Sequence, residues 1–278
     1  MMDYQLNEQQ VMIRDLCRQI AQEKIAPLAA EYDKTEEFPW PIVKALAQAD
    51  IFGVSIPVEY GGLGGGVLEI CIATEELSKA CGGITLCFAA SYLGLDPILL
   101  FGNEEQKKKY LPDLAAGKKL AAFAITEPAA GSDASGIQTT AKKKGDHYVL
   151  NGTKHFITNG GEADTYVVIA MSDKTKGARG ATAFILEKSM KGFTFGKKED
   201  KLGIRASSTR ELIFTDCEVP KENILSKEGM GFIVTMKTFD VSRPGVASQA
   251  LGIAAGALEA ATKYARERIQ FGKPISSF

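Results

Sequence analysis

The sequence predicts an α+β multidomain protein. It has an N-terminal helical domain, a central β-barrel or sandwich domain, and the start of a C-terminal helical bundle. Three observations carry this. Apolar residues recur at helical spacing up to about residue 118. Beyond Gly117 the pattern changes to short apolar runs separated by turn residues, and after Gly231 a long helical stripe resumes. The boundaries these changes imply are 1–118, 119–228 and 229–278. With 278 residues, 45% apolar and 24% charged, the chain has an ordinary globular balance and length for about two domains.

The helical part opens at Asn7, which with Gln10 forms a capping pair ahead of a stripe of Ile13, Leu16, Cys17 and Ile20. Pro39 and Pro41 break the chain, and Ile42, Ala45, Leu46 and Ala49 give a second stripe that stops near Gly53. The glycine-rich run Tyr60–Gly66 lacks the Gly-Lys-Ser/Thr ending of a phosphate loop and the strand–helix setting of a dinucleotide fingerprint. It is expected to be a flexible loop between helices. Further helices are expected from Val67 to Lys109.

In the middle region, Tyr148–Leu150, Asn151-Gly152 and Thr153–Thr158 read as a hairpin, because Asn-Gly is the strongest two-residue turn signal. Tyr166–Met171 reads as a buried strand, followed by short strands at Thr182–Leu186, Phe193–Phe195 and Glu211–Phe214. Past Gly231, the small-residue stripe Ala254, Ala257, Leu258 and Ala261 suits close helix packing. One such helix cannot bury its own face, so it needs a partner beyond Phe278 or on another chain.

Several function classes are disfavoured. A net charge of -1 gives no electrostatic case for nucleic acid, and Lys142–Lys144 reads as a solvated face. Five cysteines without paired spacing suit a reducing compartment. His147 and His155 are expected to be half-exposed strand residues, and no metal site is expected from them. No apolar run is expected to span a membrane, and the opening Met1–Gln5 lacks the features of a signal peptide, so the expected location is cytoplasmic.

Two stretches carry the chemistry: Phe123–Ser132 and Phe156–Gly160. Thr126 and Thr158 each offer a donor and an acceptor, as the edge of a flavin requires, and Phe156 offers an aromatic face. Gly131 and Ser132 resemble a small anion nest for a phosphate. Asp240 and Arg243, three residues apart, share a helix face and could grip a polar ligand end, and Arg268 could meet a pyrophosphate bidentately. The plain alternatives are a polar turn, a local ion pair and a surface charge cluster.

With these motifs in order, the chain resembles the acyl-CoA dehydrogenase family, near its short-chain, butyryl-CoA-type members. The resemblance runs through Tyr60–Gly62, Gly102–Tyr110, Ala124–Pro128 with Gly131–Asp133, and Phe156–Gly160. It continues through Leu202–Arg205 with Ser207–Thr209, Phe239-Asp240 with Arg243-Pro244, and Arg268 with Gln270–Gly272. It implies a helical domain, a β-domain and a C-terminal four-helix domain, with FAD between them. It places Phe123, Ile125, Thr126, Gly131, Ser132, Phe156, Ile157 and Thr158 at the FAD. Arg268, Gln270 and Phe271 would reach the FAD of a neighbouring subunit in a homotetramer, and Ser132, Asp240 and Arg243 would hold the CoA. Phe156 stands where many relatives have tryptophan.

The implied reaction is α,β-dehydrogenation of an acyl-CoA to the 2-enoyl-CoA. A carboxylate takes the α-proton, the β-hydrogen leaves as hydride to the flavin, and electrons pass to an electron-transfer flavoprotein. The family's usual glutamate base would lie beyond Phe278, and the position used by a minority of relatives is Ser242. Asp96 is then a speculative proton acceptor for an unusual, cyclic substrate, against the reading of a helix-end aspartate before Pro97. The alternative function is a truncated, non-catalytic paralogue acting as a flavin- and CoA-binding or assembly module.

Overall fold

The computed structural model describes residues 5–278. Its first part is helical: α1 (Glu8–Ile20), α2 (Ala29–Thr35), α3 (Trp40–Gln48), α4 (Val67–Ala80), α5 (Gly82–Phe101) and α6 (Glu104–Ala115). The Asn7 side chain accepts from Gln10 N at 2.9 Å and the Gln10 side chain returns to Asn7 N at 3.0 Å, so α1 opens with the expected capping box. Ile13, Cys17 and Ile20 are buried, whereas Leu16 is exposed. Pro39 and Pro41 separate α2 from α3 as expected, with Pro41 in the first turn of α3, where proline is tolerated because no intrahelical donor is needed.

The glycine-rich run corrects its expectation. Leu63 N bonds Gly53 O, Gly64 N bonds Ile56 O and Gly65 N bonds Val54 O, all within 2.9 Å. A Cβ on Gly62 would lie 2.0 Å from Ile56 O. The loop is held by backbone pairing at contact distance, which only glycine permits.

Helix α5 corrects another. It is 20 residues long and, by length and composition, apolar enough to cross a membrane, but 61% of its most apolar window is buried inside the protein. It is the core helix. Its Phe88 packs edge-on to Phe52 and Tyr92 at 5.5 and 5.3 Å. Gly94 lets it lie on the first strand, since a Cβ there would sit 2.5 Å from Ala122 N.

The strands are β1 (Ala121–Ala124), β2 (Thr140–Lys144), β3 (His147–Thr158), β4 (Thr165–Met171), β5 (Ala181–Glu187), β6 (Phe193–Lys198), β7 (Thr209–Pro220) and β8 (Ile224–Leu225). They form one mixed sheet in the order β6-β7-β3-β2-β4-β5-β8, with β1 paired parallel to β4. β4 is buried along its whole length, as its apolar run predicts.

Asn151-Gly152 is not a turn. β3 continues through it, and the β3–β7 register slips between Leu150 and Gly152. Gly152 takes φ 146° in this bulge, and Asn151 accepts from Asp216 N at 2.9 Å and donates to Asp216 Oδ1 at 3.0 Å. The hairpin turn lies upstream, at Gly145 between β2 and β3. A left-handed glycine serves both purposes, so the dipeptide alone does not distinguish a bulge from a turn.

The chain ends with α7 (Gly231–Glu267), β9 (Ile269–Gln270) and β10 (Lys273–Pro274). α7 packs on α4 and α5, but not through the expected stripe: Ala254, Ala257, Leu258 and Ala261 are exposed. The packed seam is Gly245, Gln249, Gly252 and Gly256. A Cβ on Gly252 would stand 2.3 Å from Glu75 O, and one on Gly256 would stand 2.1 Å from Lys79 O. Gly252→Ala is therefore expected to destabilise the protein by about 1–3 kcal/mol, because α4 backbone must move. Urea denaturation checks this; an unchanged midpoint would mean that the seam is looser than its geometry.

Candidate functional site

The loop after β1 is fixed by a buried ion pair. Glu127 and Ala130 bond each other's backbones at 3.0 and 3.1 Å, closing a tight turn around Pro128. Beneath it, the Lys154 ammonium donates to Ile125 O at 2.9 Å and to Glu127 Oε1 at 2.7 Å. Lys154 is fully buried and the Glu127 side chain is 6% exposed. Glu127 also accepts from the backbone N–H groups of Gln138 and Thr139. Burial works to raise the Glu127 carboxyl, but the Lys154 charge and these hydrogen bonds outweigh it and hold it below the usual carboxylate range. Burial pushes the Lys154 ammonium down to about 8, against the pull of Glu127.

Next to Lys154, His155 N donates to Thr126 O at 2.8 Å. The loop carrying Ile125 and Thr126 is thus tied to β3 by side chain and backbone together. Phe156 follows in the left-handed region at φ 58°, and the residue is 61% exposed. A bulky residue held there is strained and persists only where the surroundings impose it; here a second β3–β7 bulge, between Lys154 and Ile157, does so. Ile157 is buried in the core. Asn159, also left-handed at φ 60°, is fully buried and donates to Cys87 O at 3.1 Å and Ser91 Oγ at 3.2 Å, locking the end of β3 onto α5.

Between α4, α5 and α7 lies a cavity of about 520 Å³, and Thr158 forms part of its wall. The wall is mostly apolar, with Ser55, Thr74, Tyr92, Asp96, Ser242 and Gln249 as its other polar members. Thr74 Oγ1 is buried without a partner. Asp96 is half-buried and is the sole carboxylate on this wall among the described residues. Burial pushes its carboxyl up to about 7.

The architecture and this loop pair can be compared with known proteins. Three family profiles match in order: acyl-CoA dehydrogenase N-terminal domain over residues 7–118, middle domain over 122–217, and C-terminal domain over 229–278. A short-chain-specific acyl-CoA dehydrogenase of Clostridium acetobutylicum is 51% identical over 278 residues, covering 100% of this chain and 73% of the relative.

The chain belongs to the acyl-CoA dehydrogenase family.

Solved structures agree with this placement. Butyryl-CoA dehydrogenase from Megasphaera elsdenii superposes at a TM-score of 0.97 with 48% identity, over 100% of this chain and 74% of that one. A chain from a structure described as the electron transferring flavoprotein of Acidaminococcus fermentans gives 0.98 and 54%, over 100% and 73%. The fold is accordingly the acyl-CoA dehydrogenase fold: helical domain, middle sheet domain, and start of a helical C-terminal domain. Relatives in this family are oxidoreductases with FAD as cofactor.

The residues present fit that cofactor. Among the described residues, the hydroxyls of Thr126 and Thr158 have no protein partner, and the exposed Phe156 ring offers a flat apolar face. Phe123 lines the same region and meets Phe239 of α7 edge-on at 5.8 Å. Gly131 and Ser132 are exposed, with open space around Gly131.

Not every expected residue joins this group. Asp240 and Arg243 form an exposed ion pair at 3.3 Å, with the Arg243 guanidinium 5.9 Å from the Phe239 ring. Arg268, Gln270 and Phe271 are exposed past the far end of α7, and Phe271 has φ 51°. At 1.5 Å per residue, Arg268 is roughly 40 Å along the helix from Phe239. It cannot reach the Phe123–Thr158 group of its own chain.

Sequence reasoning missed three residues of consequence. Lys154 read as one more strand residue, since nothing local marks a lysine as fully buried. Thr74 and Gln249 meet at the cavity from helices far apart in the chain.

Proposed function

We propose that this chain carries out FAD-dependent α,β-dehydrogenation of an acyl-CoA thioester, with electrons passed to an electron-transfer flavoprotein. The observation that carries the reading is the junction at Thr158. One residue belongs both to the hydroxyl-bearing flavin cradle and to the wall of an apolar cavity of about 520 Å³ that suits an acyl chain. FAD, when bound, supplies the hydride acceptor. The chain's own residues do the rest. Phe123, Ile125, Thr126, Phe156, Ile157 and Thr158 seat and orient the ring system, and Gly131 and Ser132 take phosphate. Ser132 also faces the pantetheine, and Asp240 and Arg243 bind the nucleotide end of CoA by opening their mutual ion pair.

Asp96 is the proton acceptor that the described residues offer. It faces the acyl cavity, and a carboxyl poised near neutral pH suits a general base. A cyclic acyl group, broad enough to bring a C–H bond to Asp96, is the substrate class this position favours. Arg268, Gln270 and Phe271, remote from their own cradle, serve the cradle of a second copy in a homotetramer. The working division is 1–118, 119–228 and 229–278, in a cytoplasmic enzyme. The likeness to a chain of the Acidaminococcus fermentans flavoprotein structure supports the redox partner.

The test is dye reduction by the FAD-loaded protein with butyryl-, isobutyryl-, longer straight-chain and cyclic acyl-CoA substrates. Substrate-dependent bleaching with at least one of them is expected. FAD retained without bleaching by any acyl-CoA would remove the dehydrogenase reading and leave a flavin- and CoA-binding module.

A further inference from the structure

His155 on β3, Glu211 on β7 and Glu199, just past the end of β6, bring donor atoms that all lie within 4.8 Å of one another. The sheet is shaped around this meeting. β3 and β6 flank β7, and both ladders lose register at the same level. Lys154 and Ile157 face Leu212 and Arg210 on one side, and Phe195 and Lys198 face the same two residues on the other. Two bulges therefore sit opposite Glu211. Such bulges re-aim side chains: one brings His155 Nε2 to 2.7 Å from Glu211 Oε1. The other contains Gly196, where a Cβ would lie 2.5 Å from Glu211 Oε2, so the carboxylate occupies space that only glycine leaves open. Glu199 follows β6 and is anchored by its backbone N–H on Thr209 O at 2.9 Å.

The charge is unbalanced. Two carboxylates crowd one imidazole, and among the described residues neither has a lysine or arginine partner. A dication between them neutralises both carboxylates and uses the lone pair of a neutral imidazole. Zinc accepts both imidazole nitrogen and carboxylate oxygen, and three protein ligands leave a fourth position for water. All three side chains are half-buried, so the position has access to solvent.

We propose that His155, Glu199 and Glu211 bind a divalent metal ion of the zinc type. Two of the ligands, His155 and Glu211, lie on paired strands, and the His155 ring packs edge-on to Phe156 at 5.4 Å, so the ion also fixes the aromatic residue of the cradle. Sequence spacing does not show the site, because its ligands are brought together only by strand pairing.

Isothermal titration of the chelator-treated full chain with zinc chloride tests this. Saturable binding of one ion is expected, weakened at least tenfold in both His155→Ala and Glu211→Gln. Both positions are half-buried, and a thermal melt of each variant without zinc verifies folding. Zinc at saturation is expected to raise the melting temperature of the parent and leave both variants unmoved. No saturable binding would overturn the proposal in favour of a simple His155–Glu211 ion pair. Undiminished binding in both variants would overturn it in favour of another zinc ligand set, such as the free thiols.

Discussion

Lys154→Met is expected to cost about 3–5 kcal/mol of stability and to abolish retention of FAD. Removing the ammonium strands the Glu127 carboxylate in a site with almost no water, and breaking one side of a buried pair costs far more than the pair contributes on balance. The same ammonium is the donor to Ile125 O, so the cradle loop loses its anchor along with its charge balance. A companion Lys154→Met/Glu127→Leu chain is expected to recover much of the stability, since an apolar pair of similar volume avoids desolvation. It should not recover FAD, because the tie to Ile125 is still missing. Urea denaturation and flavin absorbance read the two effects separately. A single variant losing less than about 1 kcal/mol would show that the pair is no strut. The pH dependence has a definite sign. Glu127 is held below its ordinary carboxylate value in the fold, so its contribution is present above that value and lost as the pH falls through the folded one. The acid limb of the parent's stability curve should accordingly shrink in the double variant.

Asp96→Asn is expected to lower turnover by about 10²–10⁴-fold while leaving FAD bound, the range over which a positioned base contributes. In the parent, kcat/KM should rise with pH and level off above about 7, as the carboxyl loses its proton. The residual activity of the variant should lack that inflection. Stability moves the other way. The folded value lies above the ordinary 3.8, so the native state holds the proton longer and loses stability as the pH climbs from about 4 to about 7. Each unit is about 1.4 kcal/mol, giving a loss on the order of 4 kcal/mol at most. Asparagine has no such loss, so the variant should melt higher than the parent at pH 7.5 and match it near pH 4. Equal activity and equal melting at both pH values would sink the role of Asp96 in the cavity.

Much of the fold was legible locally, where one physical cause acts alone. The Asn7–Gln10 cap, the buried strand around Tyr166–Met171 and the run of helices from α1 to α6 follow from short-range pattern. Errors arose where two structures share a local signature. Asn151-Gly152 fits a turn or a bulge, Tyr60–Gly66 fits a loose or a tightly bonded loop, and small residues on a helix do not say which side is packed. The seam through Gly252 and Gly256 won over the alanine stripe because α4 approaches within backbone contact there. The proposed cradle was read from Thr126, Phe156 and Thr158 because these residues lie in two continuous stretches. Its support was not, because Lys154 declares itself only through Ile125 and Glu127, 29 and 27 positions away.

Helix α5 meets the length and composition of a bilayer-crossing segment, with Asp96 its sole charged residue. While the chain is being synthesised, such a segment emerges before the strands that later cover it, and insertion machinery reads it by composition. An aspartate within it raises the cost of entering lipid by up to about 3 kcal/mol. The carboxyl that lines the cavity between α4, α5 and α7 in the finished protein therefore also biases the nascent chain towards folding in water, and a leucine at position 96 would remove that bias before the cavity had formed.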